Sequence, residues 1–139
     1  MNELTLEAKK ENLDEVLAFV DGCLETLDCS PKAQMQIDIA VEEIFVNIAS
    51  YAYAPDVGQA TIRVEPEAGA VAITFEDSGV PYDPLAKADP DVTLSAEERQ
   101  IGGLGIFMVK KSMDSMEYEY RDGRNILTIR KNLRFSDRK

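Results

Sequence analysis

Two pairs of β-forming runs, each joined by a turn too short to hold a crossover, constrain this chain most. Ala60-Thr61-Ile62-Arg63-Val64-Glu65 alternates, Glu67-Ala68-Gly69 turns the chain, and Ala70-Val71-Ala72-Ile73-Thr74-Phe75 continues. Met116 to Tyr120 and Asn125 to Ile129 flank Asp122-Gly123 in the same way. Strands joined so tightly run antiparallel, because a parallel neighbour needs a crossover of a dozen or more residues. A doubly wound parallel architecture is thereby disfavoured from the outset.

The remaining segments supply helices. Leu4-Thr5-Leu6 reads as a short opening strand. Leu13, Val16, Leu17, Val20, Leu24 and Leu27 then recur at spacings of three and four, one apolar stripe on a helix over about 11–27. Ser30-Pro31 is a helix start, a cap followed by a proline whose missing N–H does no harm there. The second helix is expected from Pro31 to about Tyr53, with Pro55 ending it. A third begins at Leu104-Gly105-Ile106-Phe107-Met108-Val109 and ends near Met113-Asp114. Between Asp77 and Gly105 there is little periodicity, and a loop of that length inside a compact domain is usually functional or mobile. The order β-α-α-β-β-loop-α-β-β predicts an α+β, two-layer sandwich, its sheet antiparallel or mixed, with the helices on one face. We expect one domain over 1–131 and a basic tail over 132–139.

Composition removes several chemistries. The 139 residues include no histidine, so the chain owns no His base, no Ser-His-Asp or Cys-His relay, no His metal ligand and no phosphohistidine. Its 15 basic and 26 acidic side chains leave a net charge of −11, which argues against nucleic acid and anionic membranes. The charge is uneven: residues 1–70 carry −10, whereas Arg121 onward carries +5. The acidic half reads either as a solvated surface or as a protein-docking surface. Cys23 and Cys29 lack metal or C-x-x-C spacing and read as reduced thiols of a cytoplasmic protein. The start, Met1-Asn2-Glu3-Leu4, has no signal-peptide character. No run approaches the ~18 apolar residues of a membrane span.

Three constellations carry chemistry. On the second helix, Ile37, Val41, Ile44 and Ile48 form a core stripe, and Glu43 and Asn47 project together from another face at i and i+4. A carboxylate beside an amide suits a base next to an oxygen ligand for a hard cation, although the same spacing also describes a solvated face. In Phe75-Glu76-Asp77-Ser78-Gly79-Val80-Pro81, an acid at a strand end precedes a glycine by two. That is a turn, or an acceptor for a ligand amino group with room for close approach. In Ile101-Gly102-Gly103-Leu104-Gly105-Ile106, glycines lead into an apolar helix whose first N–H groups suit an anion, or form a hinge. It is neither a Walker A motif nor a Rossmann fingerprint.

Taken together and in this order, the segments resemble the GHKL ATPase superfamily, whose members share the Bergerat ATP-binding fold. Ala40-Val41-Glu42-Glu43-Ile44-Phe45-Val46-Asn47 with Ala52-Tyr53 looks like its N box, Asp77-Ser78-Gly79 like its first glycine box, and Gly103-Leu104-Gly105-Ile106 like its second. The small size and Phe107-Met108-Val109-Lys110-Lys111-Ser112-Met113-Asp114 narrow the resemblance to stand-alone anti-sigma-factor serine kinases, RsbW-like, over about Leu4 to Lys131. The resemblance implies ATP and Mg2+ as ligands. It implies Glu43 as general base, Asn47 as the magnesium ligand, and Asp77 and Gly79 at the adenine. It places Gly102, Gly103, Leu104, Gly105 and Ile106 at the phosphates, and has Thr128 holding adenine through water. Residues 82–101 would form a lid, from which Lys87 or Arg99 would reach the γ-phosphate. It further implies a small anti-anti-sigma STAS-domain partner, a sigma factor as second partner, and a homodimer formed through the outer face of the sheet or the first strand. A non-catalytic, ATP-dependent binding module is the alternative function. The chain departs from its relatives in the bulky Ile44-Phe45-Val46, in Tyr51 where histidine is common, and in an acidic lid bearing Asp83, Asp89, Asp91, Glu97 and Glu98. The missing histidine, the missing helical-hairpin domain and the missing membrane segment exclude a sensor histidine kinase.

Overall fold

A computed structural model describes residues 2–53, 56–84 and 103–133. Strand β1 (Asn2–Glu7) leads through a short 3-10 turn into α1 (Leu13–Glu25) and α2 (Pro31–Tyr51). Strands β2 (Gln59–Glu67) and β3 (Ala70–Asp77) form the first hairpin. After α3 (Gly103–Ser112), β4 (Ser115–Arg121) and β5 (Arg124–Asn132) form the second. Sheet order is β1-β2-β3-β5-β4, and every neighbouring pair is antiparallel. The sheet is therefore wholly antiparallel, and the mixed alternative does not occur among the described strands.

Local chemistry explains the boundaries. The Ser30 side chain accepts from the Ala33 N–H at 3.1 Å, and Pro31 occupies the first helical turn. Helix α1 begins at Leu13, later than the apolar stripe suggests, because Lys10–Asn12 wind as a 3-10 turn first. In the second hairpin, Asp122 and Gly123 both take positive φ, 55° and 78°, the geometry of a tight primed turn.

The helices cover one face of the sheet. Val16, Val20 and Leu24 of α1 and Ile37, Val41, Ile44 and Phe45 of α2 pack against Ile62, Val64, Ile73, Phe75 and Ile129. Phe45 is completely buried, so the bulk that distinguishes this N box fills core volume. The opposite face is polar. Hydroxyl pairs Thr5–Thr61 and Thr74–Thr128 cross neighbouring strands at 2.8 and 3.2 Å, and Arg130 bridges Glu67 and Glu117. An antiparallel sheet can face water in this way on one side. Among the described residues no helix is long and apolar enough to cross a membrane. Both cysteines are free thiols.

The expected tail boundary needs correction. Asn132 belongs to β5, and Leu133 is 6% exposed in the core. Leu133 donates to the Gly69 carbonyl at 3.1 Å and accepts from the Ser30 N–H at 2.8 Å, tying the end of β5 to the start of α2. Residues 134–139 lie outside the described residues.

One unfavourable contact sits between α1 and α2. Asp38 faces Asp21, which already accepts from Gln34 at 3.2 Å, and Asp38 Oδ1 is buried without a hydrogen-bond partner among the described residues. Burial, the hydrogen bond to Asp21 and its negative charge push Asp38 up to about 7 from an ordinary 3.8. The folded state thus keeps a proton that the unfolded chain releases near pH 4, so this contact costs stability as pH rises from about 4 to about 7. Asp38→Asn should flatten that slope and stabilise the protein at pH 8 by about 1–2 kcal/mol, discounted for partial exposure, with little change at pH 4. Thermal melts across this range check it; an unaltered slope refutes it.

Candidate active site

The cleft opens where the C-terminal half of α2, the end of β3, the start of β5 and α3 converge. Ile44, Asn47 and Ile48 line it from α2, Phe75 and Asp77 from β3, and Asn125 and Leu127 from β5. Ile106 of α3, Tyr118 of β4, and Val80 to Tyr82 complete the wall. The cavity is about 120 Å³, far more than one ordered water requires, and its walls are mostly apolar.

Asp77 is the buried acid of this cleft, 7% exposed. Its Oδ1 accepts from the Gly79 N–H and from the Asn125 amide, both at 2.9 Å, which leaves Oδ2 as the atom available to a ligand. Burial raises its pKa; the Asn125 and Gly79 hydrogen bonds oppose that rise. Gly79 has a packing reason beyond the one expected. A Cβ there would collide with the Ala52 carbonyl at the end of α2, and the next residue, Val80, donates to that same carbonyl at 2.9 Å. Tyr53 braces the turn, accepting from the Ser78 N–H at 2.8 Å and donating to the Gln59 carbonyl at 2.6 Å.

Glu43 lies one helical turn before Asn47, half-buried. Its carboxylate occupies the space that a Cβ on residue 105 would need, so Gly105 is what lets α3 approach α2 here. Burial, and secondarily the charge of Glu42, raise its pKa. Gly103 and Leu104 form the first turn of α3, and Ile106 turns into the cleft. The structure therefore brings Asn47, Asp77 and Ile106 onto one cleft and sets Glu43 against Gly105 beside them. Gly102, Lys87, Arg99 and residues 85–101 of the expected lid lie outside the described residues.

Thr128 does not join them. Side chains alternate along β5, so with Leu127 and Ile129 in the core, Thr128 points to the opposite face, where its hydroxyl meets that of Thr74. The residue that does reach the site from β5 is Asn125, which sequence spacing does not single out. It is 6% exposed, and its amide donates to Asp77 Oδ1 and to the Val80 carbonyl, each at 2.9 Å. Its Oδ1 accepts from the Tyr82 N–H at 3.1 Å and from the Tyr118 hydroxyl. An asparagine just after a tight turn carries no signal by itself; only the pairing of Asp77 with Asn125 across the β3–β5 register does.

Several known proteins are similar to this chain. It is 28% identical over 101 residues to the serine/threonine-protein kinase BtrW of Bordetella bronchiseptica, covering 72% of this chain and 71% of that protein. It is 26% identical over 129 residues to the serine-protein kinase RsbW of Bacillus cereus, covering 90% and 81%. Among solved structures, the catalytic domain of the histidine kinase ThkA superposes with a TM-score of 0.52 at 12% identity, covering 96% of this chain and 98% of that one. The histidine kinase domain of a blue-light activated kinase from Erythrobacter litoralis EL346 gives 0.53 at 15% identity, covering 87% of this chain and 61% of that one. These likenesses establish the α+β fold, and with residues 6–131 matching the family model, the chain belongs to the histidine kinase-like ATPase domain family.

Proposed function

We propose that the protein is an ATP-dependent serine/threonine kinase of the anti-sigma type. It would phosphorylate a small STAS-domain anti-anti-sigma protein, and release of the phosphorylated partner would free it to sequester a sigma factor. The observation that carries the reading is Glu43, a carboxylate of raised pKa held against the glycine-led start of α3 and one turn from Asn47. The kinase names of BtrW and RsbW support it.

Each part has a task. Asp77 Oδ2 accepts the amino group of the base. The first turn of α3 offers N–H groups that have no partner within the helix to the phosphates. Asn47, whose side chain lines the cleft, is the oxygen donor suited to magnesium, which would neutralise phosphate charge when bound. The acceptor hydroxyl oxygen forms the new bond to the γ-phosphorus, the bond from that phosphorus to the bridging oxygen breaks, ADP leaves, and the hydroxyl proton passes to Glu43. A carboxylate whose pKa burial has raised takes that proton more readily than an exposed one.

Labelled ATP, the protein and its STAS partner test the reaction. Glu43→Ala should lower transfer by about 100-fold or more while leaving nucleotide binding in place. Equal transfer by wild type and variant, or no transfer at all beside tight ATP-modulated partner binding, would reject the kinase reading. Mg-ATP at ~100 times its dissociation constant should stabilise the wild type by ~2.7 kcal/mol. Asp77→Asn should abolish that gain, as a thermal-shift scan reads directly.

A further inference from the structure

Asn125 spends its whole hydrogen-bonding capacity inside the protein. Its two amide hydrogens go to Asp77 Oδ1 and the Val80 carbonyl, with the Gly79 carbonyl a longer neighbour at 3.5 Å. Its oxygen takes the Tyr82 N–H and the Tyr118 hydroxyl. With nothing left for a ligand, it acts on the site through Asp77. Two donors converge on Asp77 Oδ1, from Asn125 and from the Gly79 backbone. They favour the ionised carboxylate, fix its rotamer, and make Oδ2 a pure acceptor. A pure acceptor receives an N–H and repels a carbonyl oxygen.

We propose that Asn125 is the positioning residue for base selection, holding Asp77 with one oxygen occupied and the other presented, so that the cleft takes a nucleotide whose base carries an amino group and rejects one with a carbonyl there. The inference rests on the reading of this cleft as a nucleotide site. The carboxyl that Asn125→Asp introduces is isosteric with the amide but cannot donate when ionised. It would share a proton with Asp77, and a protonated carboxyl facing the cleft can donate to a carbonyl. Among the described residues, the charged and titratable groups around this pair are few. Glu76 precedes Asp77 but is ion-paired with Arg63 and Arg124 on the outer face, Asp83 follows β3, Tyr118 and Tyr120 stand on β4, and Tyr51 lines the cleft from α2.

The test measures equilibrium binding of ATP and ITP, whose base bears a carbonyl in place of the amino group, to the full chain from pH 6 to 8.5. Wild type should prefer ATP by about tenfold or more. Asn125→Asp should lose about tenfold in ATP affinity at pH 8, bring the ATP/ITP ratio toward one, and regain ATP affinity as pH falls and the two carboxyls share a proton. Tyr118→Phe removes one donor to Asn125 and should shrink the ratio less, which keeps the test open if Asn125→Asp folds poorly. A purely structural role would weaken both nucleotides in proportion, leaving ratio and pH slope unchanged, and that result overturns the proposal. A wild type that binds neither nucleotide overturns the site reading itself.

Discussion

The site depends on one pairing, β5 lying between β3 and β4 in antiparallel register, with Asp77 opposite Asn125. β4 and β5 are joined by a tight turn, but Asp77 and Asn125 meet across 48 residues of chain. That long-range pairing brings an amide to the end of β3 and there satisfies a buried carboxylate that would otherwise be costly. The same amide group binds the backbone of Val80 and Tyr82, so the turn after β3 and the acid that opens it are held by one side chain. A one-residue slip would send Asn125 to the polar face and bring Arg124 or Ile126 to the cleft.

Two close approaches complete the geometry. At Gly79 the turn after β3 lies directly on the carbonyl end of α2, and at Gly105 the start of α3 lies directly on Glu43. Both glycines are needed because of what faces them rather than because of unusual φ, since positive φ occurs at other glycines, Gly69 and Gly123. In each case a methyl group would push apart two elements that frame the cleft, so these positions join packing to chemistry.

How much the sequence discloses follows from how local each signal is. The helix cap at Ser30, the stripe Ile37-Val41-Ile44 and both hairpin turns are written in neighbouring residues, and the elements sit within a few positions of where periodicity puts them. Glu43 and Asn47 share a helix face by spacing alone. Asp77 and Gly79 stand at a strand end that hydropathy locates. Thr128 shows the limit: its place in the strand is readable, but which face it takes depends on Leu127 and Ile129 entering the core. Asn125 shows the other limit, because its meaning comes from a partner strand that no local pattern names. A tail drawn from residue 132 misplaces Leu133 for a related reason, since its contacts are with the backbone of Ser30 and Gly69, far away in sequence.

Electrostatics explains how a chain of net charge −11 could present the anion site proposed for its cleft. Glu76 and Asp77 are adjacent, yet the pleat sends them to opposite faces. Burial opposes ionisation of Glu76, but hydrogen bonds from Arg63 and Arg124 outweigh it and hold its pKa below the ordinary value. Its charge is thus neutralised on the outer face, while Asp77 stands at the cleft. On the proposed reading the opposite sign would come from the backbone, through the N–H groups of the first turn of α3, and Lys110 and Lys111 in the last turn of the same helix favour its dipole. On the proposed reading, an acidic surface and an anion-accepting cleft coexist because peptide groups of α3, brought close by Gly105, supply positive potential without a basic patch among the described residues.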